Sequence, residues 1–550
     1  MKITLAQFDY RVGDFDGNLE LIRKALSKAR EEKSDLVIFS ELCITGYPPL
    51  DLLENLDFLR KAEKALRELA AGCTDIAAVV GAPVINTKPE GKKLYNAAMI
   101  LAEGKIVYTA VKALLPTYDI FDEYRYFEPG REFSIFDFKG TRIALTICED
   151  LWDEQPDDNY FGKTRLYTIS PAGELAKLNP DLIINISASP FSYTRTSTRR
   201  NIFTQKALKY KVPVVMVNQT GANTELIFDG GSMAVRNDGT LIHQLPFFQE
   251  SVFTFSLDEL KSPGKYPELP VPDRTELIYK ALITGIRDYF RKSGLKRAVL
   301  GLSGGIDSAV VLCLAAEALG SENVTALLMP SRYSSEESVD DAVKLAQNTG
   351  VSYYIISIEK PFTAFEEVLK PSFKDLPEDV TEENIQARIR AVLLMAWSNK
   401  FGHILLNTSN KSEAAVGYGT LYGDMAGGLS VIGDVFKTDV YRLASYINRN
   451  STIIPQQIIL KAPSAELRPN QFDTDSLPPY PLLDEILFRY IEQNKPADVI
   501  ISEGFDKETV QRIVSLINSN EYKRYQAPPI LRISSKAFGA GRRMPLVARY

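Results

Sequence analysis

The chain has 550 residues, room for about two to four domains of ordinary size. Its 45% apolar and 24% charged residues suit a globular protein with large cores, and a net charge of −6 argues against a general nucleic-acid binder. No stretch offers about 18 uninterrupted apolar residues, so no membrane span is expected. The start, MKITLAQFDYRVGD, is interrupted by Gln7 and Asp9 and reads as a strand, not a signal peptide. Cys43, Cys73, Cys148 and Cys313 are scattered without CxxC spacing, which argues against a disulfide framework or structural zinc and suits a reduced, cytoplasmic setting.

In chain order, short apolar runs over 3–8, 36–39, 76–81, 142–148, 182–186 and 212–217 predict buried strands. Leu19, Ile22, Leu26 and Ala29 predict a helix over 18–30. Glu103-Gly104 and Asp238-Gly239 each centre a predicted hairpin, over 97–111 and 232–245. The mixture points to an α/β sandwich. Pro263, Pro267, Pro270 and Pro272 then crowd one short stretch, which can hold neither helix nor central strand. We expect a first domain over 1–260, a linker over 261–273 and a second domain over 274–550. In the second, helices over 275–291, 306–319, 335–349 and 382–399 alternate with strands over 298–302, 324–329, 354–358 and 404–407. That alternation predicts a doubly wound parallel sheet. Ser334 or Ser335 is the expected cap of the third helix. The stretch 463–481 reads as a long loop of the kind that carries function.

The run Val299-Leu300-Gly301-Leu302-Ser303-Gly304-Gly305-Ile306-Asp307-Ser308 is the most informative segment. A strand enters two glycines and a helix follows at once, so unpaired N–H groups and two hydroxyls converge in a phosphate cradle. The lysine of GxxxxGK[ST] is missing, so this is not that loop. It resembles the SGGxDS pyrophosphate loop of enzymes that adenylate a substrate from ATP. By that resemblance residues Gly301 to Ser308 bind ATP, and Asp307 holds Mg²⁺ beside the leaving group. The loop alone fits GMP, argininosuccinate and asparagine synthetases and tRNA-modifying enzymes equally well. Later segments narrow the choice. Asn384-Ile385-Gln386-Ala387-Arg388-Ile389-Arg390, Asn407-Thr408-Ser409-Asn410-Lys411-Ser412-Glu413, Gly417-Tyr418-Gly419-Thr420-Leu421-Tyr422-Gly423-Asp424 and Pro463-Ser464-Ala465-Glu466-Leu467 together resemble segments of NAD⁺ synthetases. The resemblance covers residues 274–550. It implies that Arg388 and Thr408 contact ATP, that Glu413 joins Asp307 at the metal, and that Asn384, Glu413, Tyr418 and Lys536 contact deamido-NAD⁺.

A second chemistry occupies the first half. Glu41, Lys112 and Cys148 each stand at the end of a predicted strand, and in that order they resemble the triad of the nitrilase superfamily over about residues 1–260. The resemblance implies a thiolate nucleophile, an oxyanion-stabilising lysine and a carboxylate base. No histidine competes for these roles, since the chain holds only His243 and His403. The segment Leu115–Glu123 and the run Ser187-Ala188-Ser189-Pro190-Phe191, with Arg195 after it, resemble the glutaminase domains joined to some NAD⁺ synthetases. Tyr118, Ser189 and Arg195 would then bind glutamine; Thr117 stands where that family usually has Asn.

Taken singly, these residues also have ordinary readings. Arg388 suits a surface pair with Glu383, Glu413 a solvated helix start, Tyr418 a core position, Lys536 the surface, Cys148 a buried structural thiol, and Tyr118 and Arg195 decorated loops. The combined reading is a glutamine-fed, ATP- and Mg²⁺-using synthesis of NAD⁺ with no nucleic acid or membrane partner, by a chain whose component families form homo-oligomers. Two alternatives are an ammonia-dependent synthetase on an inactive nitrilase-like platform and an adenylating tRNA-modifying enzyme.

Overall fold

The computed structural model describes residues 1–154, 165–262, 264, 269–270, 272–374 and 376–548. The chain divides into two compact units, Met1–Pro272 and Asp273–Tyr550. Much of the expected linker (263, 265–268 and 271) lies outside the described residues.

The first unit contains β1 (Lys2–Gln7), β2 (Leu36–Ile38), β3 (Ala77–Ile85), β4 (Leu94–Ala102), β5 (Lys105–Val111), β6 (Phe136–Phe138), β7 (Thr141–Ile147), β8 (Leu182–Ser187), β9 (Val214–Asn218), β10 (Thr220–Asn223), β11 (Leu226–Asp229), β12 (Met233–Val235), β13 (Leu241–Gln244) and β14 (Ser251–Ser256). Two six-stranded sheets form, in the orders β14-β1-β2-β3-β4-β5 and β13-β12-β9-β8-β7-β6, with β10 and β11 paired apart. Period-two alternation explains how they stack. Ile3, Leu5, Ile38, Val79 and Ile100 of one sheet meet Ile143, Leu145, Ile147, Ile184 and Val217 of the other in one buried cluster. The opposite faces are covered by helices. Phe15–Glu31 and Leu56–Ala71 lie on the first sheet, where Ile22, Leu26, Leu66 and Leu69 pack on Val37 and Val80. Arg195–Tyr210 covers the second, where Phe203 and Ala207 pack on Ile183, Val214 and Met216. The result is an αββα sandwich. Burial on both faces is why these strands read as nearly continuous apolar runs.

The second unit starts at Asp273, whose Oδ1 accepts from Thr275 N at 2.8 Å and caps helix Arg274–Ser293. Its sheet holds β15 (Arg297–Gly301), β16 (Val324–Leu328), β17 (Ser352–Ile355), β18 (His403–Asn407) and β19 (Leu429–Ser430), all parallel, in the order β17-β16-β15-β18-β19. This is the expected doubly wound sheet. The order reverses between β15 and β18, so a crevice opens at the C-terminal ends of those two strands. Helix Ile306–Leu319 leaves β15 and is buried along most of its length. The last part of the unit is helical: Tyr480–Leu487, Ala497–Ser502 and Lys507–Ser519 pack around Leu483, Ile486, Ile500, Val510 and Ile513. Among the described residues no helix is long and apolar enough to cross a membrane, and all four cysteines are free and buried.

Candidate active sites

In the first unit, Glu41, Lys112 and Cys148 meet at one end of the sandwich. Glu41 follows β2, Lys112 follows β5, and Cys148 follows β7 on the other sheet. Lys112 is fully buried, and its Nζ lies 2.7 Å from Glu41 Oε1. Glu41 also accepts from Asn96 Nδ2 at 2.7 Å and Ala188 N at 3.0 Å. Cys148 opens a short 3-10 turn in the left-handed region, φ 42°. Such a conformation costs a non-glycine residue about 1 kcal/mol or more and persists only where the surroundings enforce it. Asn185 Nδ2 donates to the Cys148 carbonyl at 3.3 Å.

The sequence reading missed a fourth charge here. Glu123 lies 2.7 Å from Lys112 Nζ and accepts from Tyr47 OH at 2.9 Å. No pattern in Phe121-Asp122-Glu123 marks it, because its burial depends on the fold of the whole loop. Desolvation alone would push Lys112 down, but the charges of Glu123 and Glu41 hold it well above its ordinary value. Burial, against the pull of Lys112 and with the push of Glu41, raises the Glu123 carboxyl to about 7. Burial and the Glu41 charge push the Cys148 thiol up, with Lys112 opposing them. The lysine is therefore the group that favours a thiolate.

The expected glutamine-binding residues adjoin this cluster. Tyr118 OH donates to Glu149 Oε1 at 2.8 Å, and Arg195 Nη2 donates to Tyr118 OH at 3.3 Å. The Arg195 guanidinium also stacks 5.1 Å from the Trp152 ring centre. Ser189 is buried, its N–H held by Asn218 Oδ1 at 2.8 Å. Arg199, near Arg195 in sequence, is instead buried against Asp229 at 2.6 Å.

In the second unit a cavity of about 310 Å³ fills the crevice where the strand order reverses. Gly301, Leu302, Ser303, Gly305, Ile306, Asp307 and Ser308 line one end, with Thr408, Glu413 and Tyr418 also on its wall. Two serines shape the loop. Gly305 N donates to Ser303 Oγ at 3.2 Å, and Ser308 Oγ donates to the Gly305 carbonyl at 3.0 Å. Gly304 is not among the residues lining the cavity and backs onto helix Glu336–Thr349. Its φ is +79°, and a Cβ there would stand 2.3 Å from the Ser338 carbonyl oxygen. Gly304→Ala is expected to cost about 2 kcal/mol or more in stability, or to shift the loop and weaken ATP use about tenfold. Thermal unfolding and an ATP saturation curve check this; an unchanged protein would show that the close approach is relaxed.

Asp307 and Glu413 come together as expected, around a lysine the sequence reading passed over. Asp307 accepts from Asn410 Nδ2 at 2.9 Å and from Lys437 Nζ at 2.5 Å, and Lys437 Nζ lies 3.4 Å from Glu413. Glu413 also closes its own helix start, accepting from Asn410 N at 3.3 Å. Burial and the Asp307 charge push the Glu413 carboxyl up to about 8, with Lys437 opposing. Lys437 opens helix Lys437–Ile447 while buried, a place where a cation meets the positive end of a helix dipole, and neither its burial nor the start of that helix is marked in the sequence. Asp473, from the long loop, accepts from Tyr418 OH at 3.0 Å and Tyr480 OH at 2.7 Å and also lines the cavity.

Three of the expected residues do not line this cavity. Arg388 is exposed, with Nε donating to the Leu421 carbonyl at 3.3 Å, and Glu383 pairs with Arg468 instead of Arg388. Arg390 lines the cavity, and burial pushes its guanidinium down to about 10. Asn384 Oδ1 accepts from Thr420 Oγ1 at 2.7 Å. Lys536 is half-buried, and its carbonyl accepts from Lys411 Nζ at 3.0 Å. Lys411 is fully buried and also holds Asp434 at 2.9 Å, Glu492 at 2.8 Å and Ser534 Oγ at 2.8 Å. It ties the C-terminal segment to the start of the Glu413 helix.

A family model described as carbon-nitrogen hydrolase matches residues 2–262, and one described as NAD synthase matches residues 278–527. The glutamine-dependent NAD(+) synthetase of Synechocystis sp. is 45% identical, over 100% of this chain and 99% of its own. That of Thermotoga maritima is 42% identical, again over 100% and 99%. The structure of glutamine-dependent NAD+ synthetase from Acinetobacter baumannii in complex with ADP matches at a TM-score of 0.77 and 38% identity, covering 99% of this chain and 98% of that one. Alike along its whole length to these proteins and carrying both of their domains, the chain belongs to the glutamine-dependent NAD⁺ synthetase family.

Proposed function

We propose that the chain amidates deamido-NAD⁺ to NAD⁺, using ATP to activate the nicotinate carboxylate and glutamine to supply ammonia. One observation carries this reading: the crevice cavity runs from the Ser303–Ser308 loop to Glu413 and Tyr418, so phosphate-binding and carboxylate-activating groups share one space.

In the first unit Cys148 attacks the glutamine amide carbon, and Lys112 stabilises the oxyanion. Glu41 passes the thiol proton to the amide nitrogen, which leaves as ammonia; a glutamyl thioester remains, and Glu41 then activates water to release glutamate. Tyr118, Ser189 and Arg195 hold the amino-acid end of glutamine, the guanidinium suiting its carboxylate. In the second unit the Ser303–Ser308 loop and the end of helix Ile306–Leu319 bind the β- and γ-phosphates. The nicotinate carboxylate oxygen attacks the α-phosphorus, pyrophosphate leaves, and ammonia displaces AMP from the mixed anhydride.

Asp307 and Glu413 fit a magnesium ion arriving with ATP. They are two carboxylates facing one cavity, whose mutual repulsion is relieved here by Lys437. Among the described residues no third acidic, His or Cys side chain completes a protein cage, as suits a cation that shares phosphate oxygens. Bound there, it would neutralise charge on the departing pyrophosphate.

Each NAD⁺ formed is expected to release one AMP and one pyrophosphate. Chromatography of the nucleotides checks this, and stoichiometric ADP would overturn the assignment of the loop.

A further inference from the structure

We propose that Asp150 is a positioning residue of the amide-hydrolysing site, a clamp that holds the segment carrying Lys112 against the turn carrying Cys148. The inference rests on the reading of Glu41, Lys112 and Cys148 as a hydrolytic set.

The two groups that must cooperate come from different sheets. Lys112 follows β5 of the first sheet, and Cys148 follows β7 of the second. No ladder of hydrogen bonds can run between stacked sheets, which meet through apolar side chains that fix distance but not register. Asp150 supplies directional bonds across that gap. Its Oδ1 accepts from Ala113 N at 3.0 Å and Leu114 N at 2.9 Å, the two residues after the lysine. Its Oδ2 accepts from Ile147 N at 3.0 Å, the residue before the cysteine. The carboxylate is buried and makes no ion pair among the described residues, so its bonds to these backbone groups are what its burial obtains. Ile147 N to Asp150 Oδ2 also closes the short turn that keeps Cys148 at φ 42°. Asp150 itself reaches no substrate; it acts through the placement of Lys112 and Cys148.

An asparagine has one acceptor oxygen and one amide nitrogen. In either orientation the NH₂ of Asp150→Asn would face a backbone N–H, releasing one arm of the clamp. The charges facing Cys148 are Lys112, which favours the thiolate, and Glu41, Glu149 and Glu123, which oppose it. Loosening Lys112 leaves the opposing charges in control.

The test measures Asp150→Asn in the full chain by turnover and by the pH profile of Cys148 alkylation with iodoacetamide. We expect glutamine-dependent kcat to fall about 10- to 100-fold with the glutamine KM changed less than about threefold, ammonia-dependent kcat within about twofold, and the alkylation midpoint moved to higher pH. An unchanged midpoint, or equal losses with both nitrogen donors, overturns the proposal. Should the variant fail to fold, amide exchange in the wild-type chain decides: Ala113, Leu114 and Ile147 are expected to be protected together, and rapid exchange at Ala113 and Leu114 alone overturns the clamp. Failure of the underlying reading looks different, since glutamine hydrolysis would then survive complete alkylation of Cys148 in the wild type.

Discussion

Cys148→Ala is expected to lower glutamine-dependent NAD⁺ synthesis by about 10⁴-fold or more, while ammonia-dependent synthesis stays within about twofold. In the proposed mechanism the thiol is the carbon nucleophile of the first unit, and neither Glu41 nor Lys112 can replace it. The synthetase cavity is lined wholly by residues after Asp273, so loss of one buried thiol in the first unit leaves its walls intact. Ammonia added at high concentration enters from solvent and bypasses the missing step. Glu41→Ala should give the same split and accumulate a glutamyl thioester visible by mass spectrometry, since water is no longer activated. Lys112→Ala adds a stability cost. It leaves the buried Glu41 and Glu123 without their shared cation, a change of about 3–5 kcal/mol. Full glutamine activity in Cys148→Ala would place the nucleophile elsewhere. Equal loss with both donors in a folded chain would break the division of labour, and an ammonia-only wild type would favour the inactive-platform alternative.

Asp307→Ala and Glu413→Ala are each expected to reduce synthesis from either nitrogen donor by about 10³-fold or more. Each removes one of the two carboxylates proposed to hold a cation beside the Ser303–Ser308 loop, and each leaves Lys437 with a single carboxylate partner. Glutamine hydrolysis should continue. Steady-state NAD⁺ formation with each donor, beside glutamate release, separates these effects. Near-normal synthesis by both variants would remove the metal assignment.

Where local chemistry fixes the backbone, the structure was readable in advance. Helix Ile306–Leu319 has its expected bounds because Gly305 and Gly320 bracket a stretch whose centre, Ala309–Ala316, is wholly apolar. Ser335 caps its helix by accepting from Ser338 N. Glu103 and Gly104 both take positive φ, as the tight hairpin turn requires. The strand expected over 354–358 instead forms at Ser352–Ile355, because an edge strand half open to solvent carries no clear alternation. Helix Leu56–Ala71 went unread: much of its inner face is Ala62, Ala65 and Ala70, which give a faint signal. Arg388 and Arg390 show a further limit. Residues two apart on a helix point to nearly opposite sides, so the segment was recognisable while the face presented to the cavity was not. Lys437, Asp473 and Glu123 belong to their sites only through long-range packing, which no local pattern records.

The Lys411 network also has a consequence for the order in which the protein matures. Beyond Asp434, its partners follow it by 81 residues at Glu492, 123 at Ser534 and 125 at Lys536. At translation speeds of about 5–20 residues per second, Ser534 is made roughly 6–25 s after Lys411. During that interval the first unit has its whole sequence and can fold, whereas the Lys411 ammonium still lacks Ser534 and the Lys536 carbonyl. The nascent chain therefore passes through a stage at which its amide-hydrolysing half is formed and its ligase half is still unsealed.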